Sequence, residues 1–175
     1  LDLQCFKIVF KMLSIPMSAK QKWMERKFDF EKLHWELRFF NQEFTERFLK
    51  DKLSTQEFAE LEREFVAIAK RLGSETGHFV HRDFHSRNLM LIDQTAPAVI
   101  DFQDARDGNI YYDALSLIFD AYVDFTEPQR RELLQCYLDS LQENHYAIDH
   151  EVLALTLLQR QIKAIGSFAY LTVSK

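Results

Sequence analysis

Eight consecutive residues near the middle of the chain hold most of the side chains suited to chemistry: His81-Arg82-Asp83-Phe84-His85-Ser86-Arg87-Asn88. Thirteen residues after Asn88 comes Asp101, at the end of the apolar run Ala98-Val99-Ile100. Phosphoryl transfer needs an oxygen acceptor beside the attacking hydroxyl and hard oxygen ligands for Mg²⁺. Asp83 can supply the first, and Asn88 and Asp101 the second. Taken singly, an Asp or Asn at a strand end is a turn former. The joint spacing gives the set its functional weight. The pair His81 and His85 admits a metal-ligand reading too. A zinc-protease helix, however, requires Glu directly after the first His, where Arg82 stands, and a strand-like run precedes it.

These residues must be held by a chain that reads as mostly helical. Two short apolar runs, Leu89–Ile92 and Ala98–Ile100, flank the turn-like segment Asp93-Gln94-Thr95-Ala96-Pro97 and predict a hairpin. Asn88 at its entry and Asp101 at its exit would then face one ion from the same end. Gly77–Val80 is a further strand candidate. Around this small β insert the pattern is helical. Leu1–Leu13, Phe30–Lys50, a helix capped by Ser54 with Glu57 as a capping box and closed by Gly73, Tyr112–Phe125, Pro128–Glu143 and Glu151–Val173 all show helical spacing. Gln21–Lys27 reads as a connection. The last helix is apolar nearly all round, which predicts a central position. The fold class expected is mainly α with a small β-hairpin insert. One domain is expected over residues 1–175, with a catalytic loop at 81–88 and a metal loop at 101–108.

Composition narrows the function classes. Forty-seven per cent of the 175 residues are hydrophobic, which argues against disorder and allows a sizeable core. A net charge of −5 is poorly suited to a phosphate backbone, so nucleic acid is not an expected partner. Cys5 and Cys136 are the only cysteines and form no CxxC, which points to a reducing, cytoplasmic setting. No apolar run is long enough to span a bilayer. The first residues already read as a helix in progress and begin at Leu1 rather than Met, so a piece of a longer protein is expected.

The pattern His-Arg-Asp-x-x-x-x-Asn, followed by a hairpin and Ile-Asp-Phe, resembles the catalytic and metal loops of the protein-kinase-like fold. The second motif, Asp101-Phe102-Gln103-Asp104-Ala105, departs from the Asp-Phe-Gly of protein kinases. It resembles the aminoglycoside phosphotransferase family, in which the residue after Asp-Phe or Asp-Trp varies. Within that superfamily, His81–Met90 and Val99–Asp113 are similar to stretches of the bacterial sugar kinases that phosphorylate the anomeric hydroxyl of N-acetylmuramate and N-acetylglucosamine. The specific part of the resemblance is about 35 residues long.

The resemblance implies the C-terminal lobe of the kinase-like fold. It implies ATP as co-substrate, Mg²⁺, and a small-molecule hydroxyl as acceptor. It assigns Asp83 as the catalytic base or orienter, Asn88 and Asp101 as Mg²⁺ ligands, and His81 and Asp113 as supports of the catalytic loop. Arg87 (which could equally pair with a nearby carboxylate), Gln103 and Asp104 are candidate substrate or phosphate contacts. So is Glu36, with Trp35, Arg38 and Asn41 beside it on the aromatic helix, because sugar sites combine an aromatic face with a few polar groups. Asp104 and Asp107 also read simply as surface carboxylates near a loop.

A kinase must also grip ATP, usually with a glycine-rich loop and a strand lysine. The four glycines, Gly73, Gly77, Gly108 and Gly166, make no such loop. No strand with a suitable lysine precedes His81. The nucleotide-clamping lobe is therefore expected outside these 175 residues, with negligible turnover by the chain alone. The alternatives are another acceptor, such as an aminoglycoside, choline or homoserine, or a non-catalytic kinase-like binding module.

Overall fold

The chain runs α1 (Leu3–Leu13), α2 (Phe30–Phe40), a wider π-helical stretch (Asn41–Phe48), α3 (Thr55–Gly73), β1 (His78–Val80), β2 (Leu89–Ile92), β3 (Ala96–Val99), β4 (Arg106–Gly108), α4 (Tyr112–Ile118), α5 (Glu127–Glu143) and α6 (His150–Val173). This computed structural model describes residues 3–16, 25–92 and 96–175. The first half of the expected Gln21–Lys27 connection and the hairpin turn at 93–95 lie outside them. The chain divides into two compact units: residues 1–27 with 76–150, and residues 28–75 with 151–175. The architecture is mainly α, with two small antiparallel sheets.

The first unit holds the His81–Asn88 segment and Asp101. Helix α1 buries Cys5, Phe6, Val9, Met12 and Leu13, the face its apolar spacing predicts. Phe6 and Phe10 lie 5.4 and 5.6 Å from the ring of Tyr137 on α5, which is fully buried. The Tyr137 hydroxyl donates to the carbonyl of Ile110 (2.6 Å), fixing the chain as it enters α4. All seven residues of α4 are buried. A short helix can be enclosed on every side only if it carries little charge, and Tyr-Asp-Ala-Leu-Ser-Leu-Ile has one carboxylate.

Helix α4 is shorter than its apolar pattern predicts, ending at Ile118 rather than Phe125. Asp120 breaks it: its carboxylate accepts the N–H of Tyr122 (2.9 Å) in a local turn and the N–H of Ser86 (2.7 Å) from afar. Helix α5 then starts where Thr126 and Gln129 exchange side-chain and backbone bonds, with Pro128 in the first turn.

The expected hairpin forms, but over Ala96–Val99 rather than Ala98–Ile100, with Leu89 opposite Val99 and Leu91 opposite Pro97. The Ile100 N–H donates to the Asn88 carbonyl (3.0 Å). Because antiparallel pairs alternate, Pro97 falls at a position that needs no N–H, which is why a proline fits this strand. The β1 strand expected at Gly77–Val80 does not join this hairpin. It pairs with β4, His78 opposite Gly108 and Val80 opposite Arg106. Strand β4 carries no period-2 apolar signal, so only the pairing defines it.

In the second unit, Ser54 and Glu57 form the expected capping box at the start of α3. Gly73 is not a left-handed cap; α3 continues through it to Ser74. A Cβ at Gly73 would lie 2.8 Å from the Phe30 nitrogen, so glycine is needed there for backbone approach. The helix expected over Phe30–Lys50 is α-helical only to Phe40 and then widens. The Asn41 amide donates to Glu46 five residues on (3.0 Å), a spacing that suits a π turn. Lys50, with φ 56°, follows its end.

Helix α6 presses against the same place: a Cβ on Gly166 would lie 2.8 Å from the Phe40 Cα. The central position expected of α6 is not what forms. Val152, Thr156, Gln159, Gly166 and Ala169 are buried, while Leu158, Ile165, Phe168, Tyr170 and Leu171 are exposed. No described helix is long and apolar enough to cross a membrane.

Candidate active site

Strand β1 delivers the chain to His81 and then turns sharply. Arg82 has φ 80°, a left-handed conformation that costs a non-glycine residue about 1–3 kcal/mol unless its surroundings impose it. Asp113 imposes it. Its buried carboxylate accepts the N–H of His81 at Oδ2 (2.7 Å) and the N–H of Arg82 at Oδ1 (3.0 Å). The Arg82 guanidinium then pairs with Asp104 (3.0 Å) and lies 3.7 Å from Asp83. Asp104 also faces Arg26 at 3.5 Å. The catalytic loop is therefore tied to α4 by its backbone and to the 101–108 loop by a side chain.

His81 is 1% exposed, and its Nε2 lies 3.0 Å from the Ile100 carbonyl. That contact bridges the start of the catalytic loop to the residue before Asp101. A neutral imidazole protonated at Nε2 donates this bond, and burial favours that state. Desolvation holds the His81 pKa below its ordinary value, outweighing the Ile100 carbonyl and the carboxylates of Asp83 and Asp101. The His85 ring packs edge-to-face with Tyr122, centroids 5.5 Å apart.

A pH dependence follows from burial. His78 is lowered for the same reason as His81, its desolvation outweighing the Leu13 carbonyl and Asp107. Above neutrality both are uncharged in the folded and unfolded chain. As pH falls through about 6.5, the unfolded chain takes up protons that the folded one refuses. Stability should decline from there until the lower folded pKa values are passed. Urea unfolding at pH 7.5 and 5.5 checks this, and equal or greater stability at pH 5.5 would contradict it.

Asp83 is partly open, its side chain 30% exposed, while Phe84 beside it is fully buried. The anchored phenyl ring thus holds the loop while the carboxylate faces outward. Asn88 ends a single 3₁₀ turn, Ser86–Asn88, and its Nδ2 donates to the Asp83 carbonyl (2.9 Å). With the nitrogen engaged, the amide oxygen is the atom left to face outward. Asp101 is exposed and also left-handed, φ 67°. It directly follows Ile100, whose N–H bonds the Asn88 carbonyl, so Asn88 and Asp101 sit at one end of the hairpin.

One amide oxygen and one carboxylate are a donor set that fits Mg²⁺. That ion keeps several waters and takes few protein ligands, the rest coming from phosphate. Among the described residues no cluster of three or more His, Cys, Asp or Glu could hold a metal.

The other expected contacts are placed as follows. Gln103 is exposed in the 3₁₀ turn after Asp101. Arg87 is exposed, with its guanidinium 3.8 Å from the centroid of the Tyr122 ring. Asp107 is not a surface carboxylate: it is 4% exposed and accepts the Gly77 N–H (2.6 Å), with Lys27 at 3.9 Å. Glu36 belongs to the other unit and is 1% exposed, held by Gln159 (2.9 Å) and Lys32 (3.2 Å). Its neighbours Trp35, Arg38 and Asn41 line a cleft of about 370 Å³ within that unit. Sequence reasoning missed Asp120 and the structural duty of Arg82. Asp120, a carboxylate between the apolar residues Phe119 and Ala121 of the expected helix, was the available signal.

A model of the phosphotransferase enzyme family matches residues 11–151, most of the chain. The chain belongs to that family. It is 32% identical over 148 residues to an N-acetylmuramate/N-acetylglucosamine kinase of Pseudomonas aeruginosa, covering 78% of this chain and 42% of the relative. A kinase of the same name from Neisseria meningitidis is 32% identical over 109 residues, covering 62% of this chain and 32% of the relative. One from Pseudomonas putida is 35% identical over 96 residues, covering 51% and 28%. The chain thus spans less than half the length of each of these relatives.

Proposed function

We propose that this chain is the base-and-metal half of an ATP- and Mg²⁺-dependent kinase acting on a hydroxyl of a small molecule, with an amino sugar as the acceptor. The observation that carries this reading is the hairpin end. Asp83 stands partly open on a pinned loop, with Asn88 and Asp101 beside the Asn88–Ile100 backbone bond.

In this reading Asp83 orients the acceptor hydroxyl and takes its proton as the oxygen attacks the γ-phosphorus. A P–O bond forms to the acceptor, the bond from that phosphorus to the bridging oxygen breaks, and ADP leaves. Asn88 and Asp101 would hold Mg²⁺, which when bound offsets phosphate charge. Asp113 and His81 act on the loop rather than on substrate. The left-handed residues Arg82 and Asp101 supply preorganised geometry at no cost during turnover.

The nucleotide-clamping lobe belongs outside these residues in this reading. The absence of a glycine-rich loop from the sequence and the partial span of the relatives support that division. A cytoplasmic setting agrees with Cys5 and Cys136 being free thiols. The amino-sugar acceptor rests on the names of the relatives and on the Val99–Asp113 motif.

The test is turnover. The complete protein containing these residues should consume ATP with N-acetylmuramate or N-acetylglucosamine, and the 175-residue chain alone should turn over negligibly. Preference for an aminoglycoside, choline or homoserine would replace the acceptor and keep the kinase. No ATP-dependent turnover of any hydroxyl would leave a binding module.

A further inference from the structure

Arg87 stands out in the catalytic loop because its charge has no counterpart among the described residues. Among the described residues no carboxylate pairs with it, although Arg82, five residues earlier, meets two. An exposed guanidinium left mobile in water would be unremarkable. Arg87 is held instead. Its guanidinium stacks 3.8 Å from the centroid of the Tyr122 ring, and the stack is built from both sides. The two Asp120 oxygens accept the Ser86 N–H (2.7 Å) and the Tyr122 N–H (2.9 Å), locking the residue before Arg87 and the ring beneath it to one buried carboxylate. The edge of His85 packs on the same ring. Stacking uses a face of the guanidinium and leaves its in-plane N–H groups free, the fork that matches a carboxylate or phosphate.

The direction separates these two anions. Arg87 and Asn88 are consecutive in a 3₁₀ turn, where successive side chains diverge by about 120°. Asn88 turns to the Asp83 carbonyl at the hairpin end shared with Asp101; Arg87 turns to Tyr122. Nucleotide phosphates bridged through a metal would gather at the Asn88–Asp101 end. The Arg87 fork lies off that end, on the same loop as Asp83.

We infer that Arg87 binds a carboxylate carried by the acceptor, so that the site prefers an acidic sugar over its neutral counterpart. This rests on Asp83 acting on the acceptor hydroxyl, and it narrows the acceptor class. The two sugars in the relatives' names are suitable probes, since N-acetylmuramate carries a lactyl carboxylate that N-acetylglucosamine lacks.

The experiment compares kcat/KM for both sugars in the complete protein, as wild type, Arg87→Gln and Arg87→Lys. One charge-assisted bond sets the scale. Arg87→Gln should lower the muramate-to-glucosamine ratio by roughly 10–100-fold, and Arg87→Lys should restore part of it, keeping charge without the fork. An equal loss with both sugars overturns the inference. So does a raised KM for ATP with the ratio unchanged, which would assign the fork to phosphate. Calorimetric binding of each sugar without nucleotide keeps the readings apart. Absent turnover with an Arg87-dependent binding preference sinks the kinase and leaves the carboxylate site. Turnover of both sugars with no such preference does the reverse.

Discussion

Replacing Asp83 with Asn in the complete protein should cut kcat by about 10²–10⁴-fold while barely changing stability. Asparagine keeps the size and the outward position but cannot take the hydroxyl proton. The fold should not notice. The side chain is 30% exposed, and its nearest cation, Arg82 at 3.7 Å, keeps a shorter bond to Asp104. A like-sized substitution at such a partly exposed position costs about 0.5 kcal/mol or less. Steady-state kinetics with saturating acceptor, beside a thermal melt, separates the two effects. A near-normal kcat would remove Asp83 from the base role. A melt lowered by many degrees would show that the carboxylate is structural.

The opposite profile is expected at Asp113. Asp113→Ala should destabilise the chain by about 2–5 kcal/mol, a large share of the stability of an ordinary domain. The carboxylate is 3% exposed and satisfies two backbone N–H groups, on His81 and Arg82. Removing it leaves both donors without that acceptor inside the protein, each at about 1–3 kcal/mol. It also frees Arg82 from the φ of 80° that the carboxylate imposes. Asp113→Asn should fall between, because an amide offers one acceptor where two are needed. Urea unfolding of the three forms reads the order. If Ala and wild type unfold at the same concentration, the catalytic loop is held by something else.

The contrast explains which parts of the site were legible. Asp83, Asn88 and Asp101 lie within 19 residues of one another, and their geometry depends on a local hairpin whose apolar runs are visible in the chain. Asp113 was reachable only through family resemblance, since its partners are 31 and 32 residues away. Asp120 was out of reach: its bond to Ser86 spans 34 residues, and Ala114–Phe125 reads as one continuous helix without it. Glu36 shows the converse. Beside an aromatic helix it reads as a sugar contact, yet Gln159, 123 residues away, and Lys32 occupy its carboxylate.

The opening motif shows a division of labour in the partners its residues meet. The sequence alone determined the chemistry on offer, the hairpin that joins Asn88 to Asp101, the helix cap at Ser54, and the mainly α class. Those depend on residue type, spacing and bonds within a few positions. Tertiary structure alone decided what each carboxylate meets: Asp83, 30% exposed, has Arg82 at 3.7 Å, Asp104 lies on arginines, Asp107 on Gly77, and Asp113 and Asp120 on the catalytic loop. It also enclosed α4 within its unit, left a face of α6 exposed, and set the left-handed turns at Arg82 and Asp101. A carboxylate reads the same in any sequence, and only the distant N–H or guanidinium brought to it by folding settles whether it can still meet a substrate.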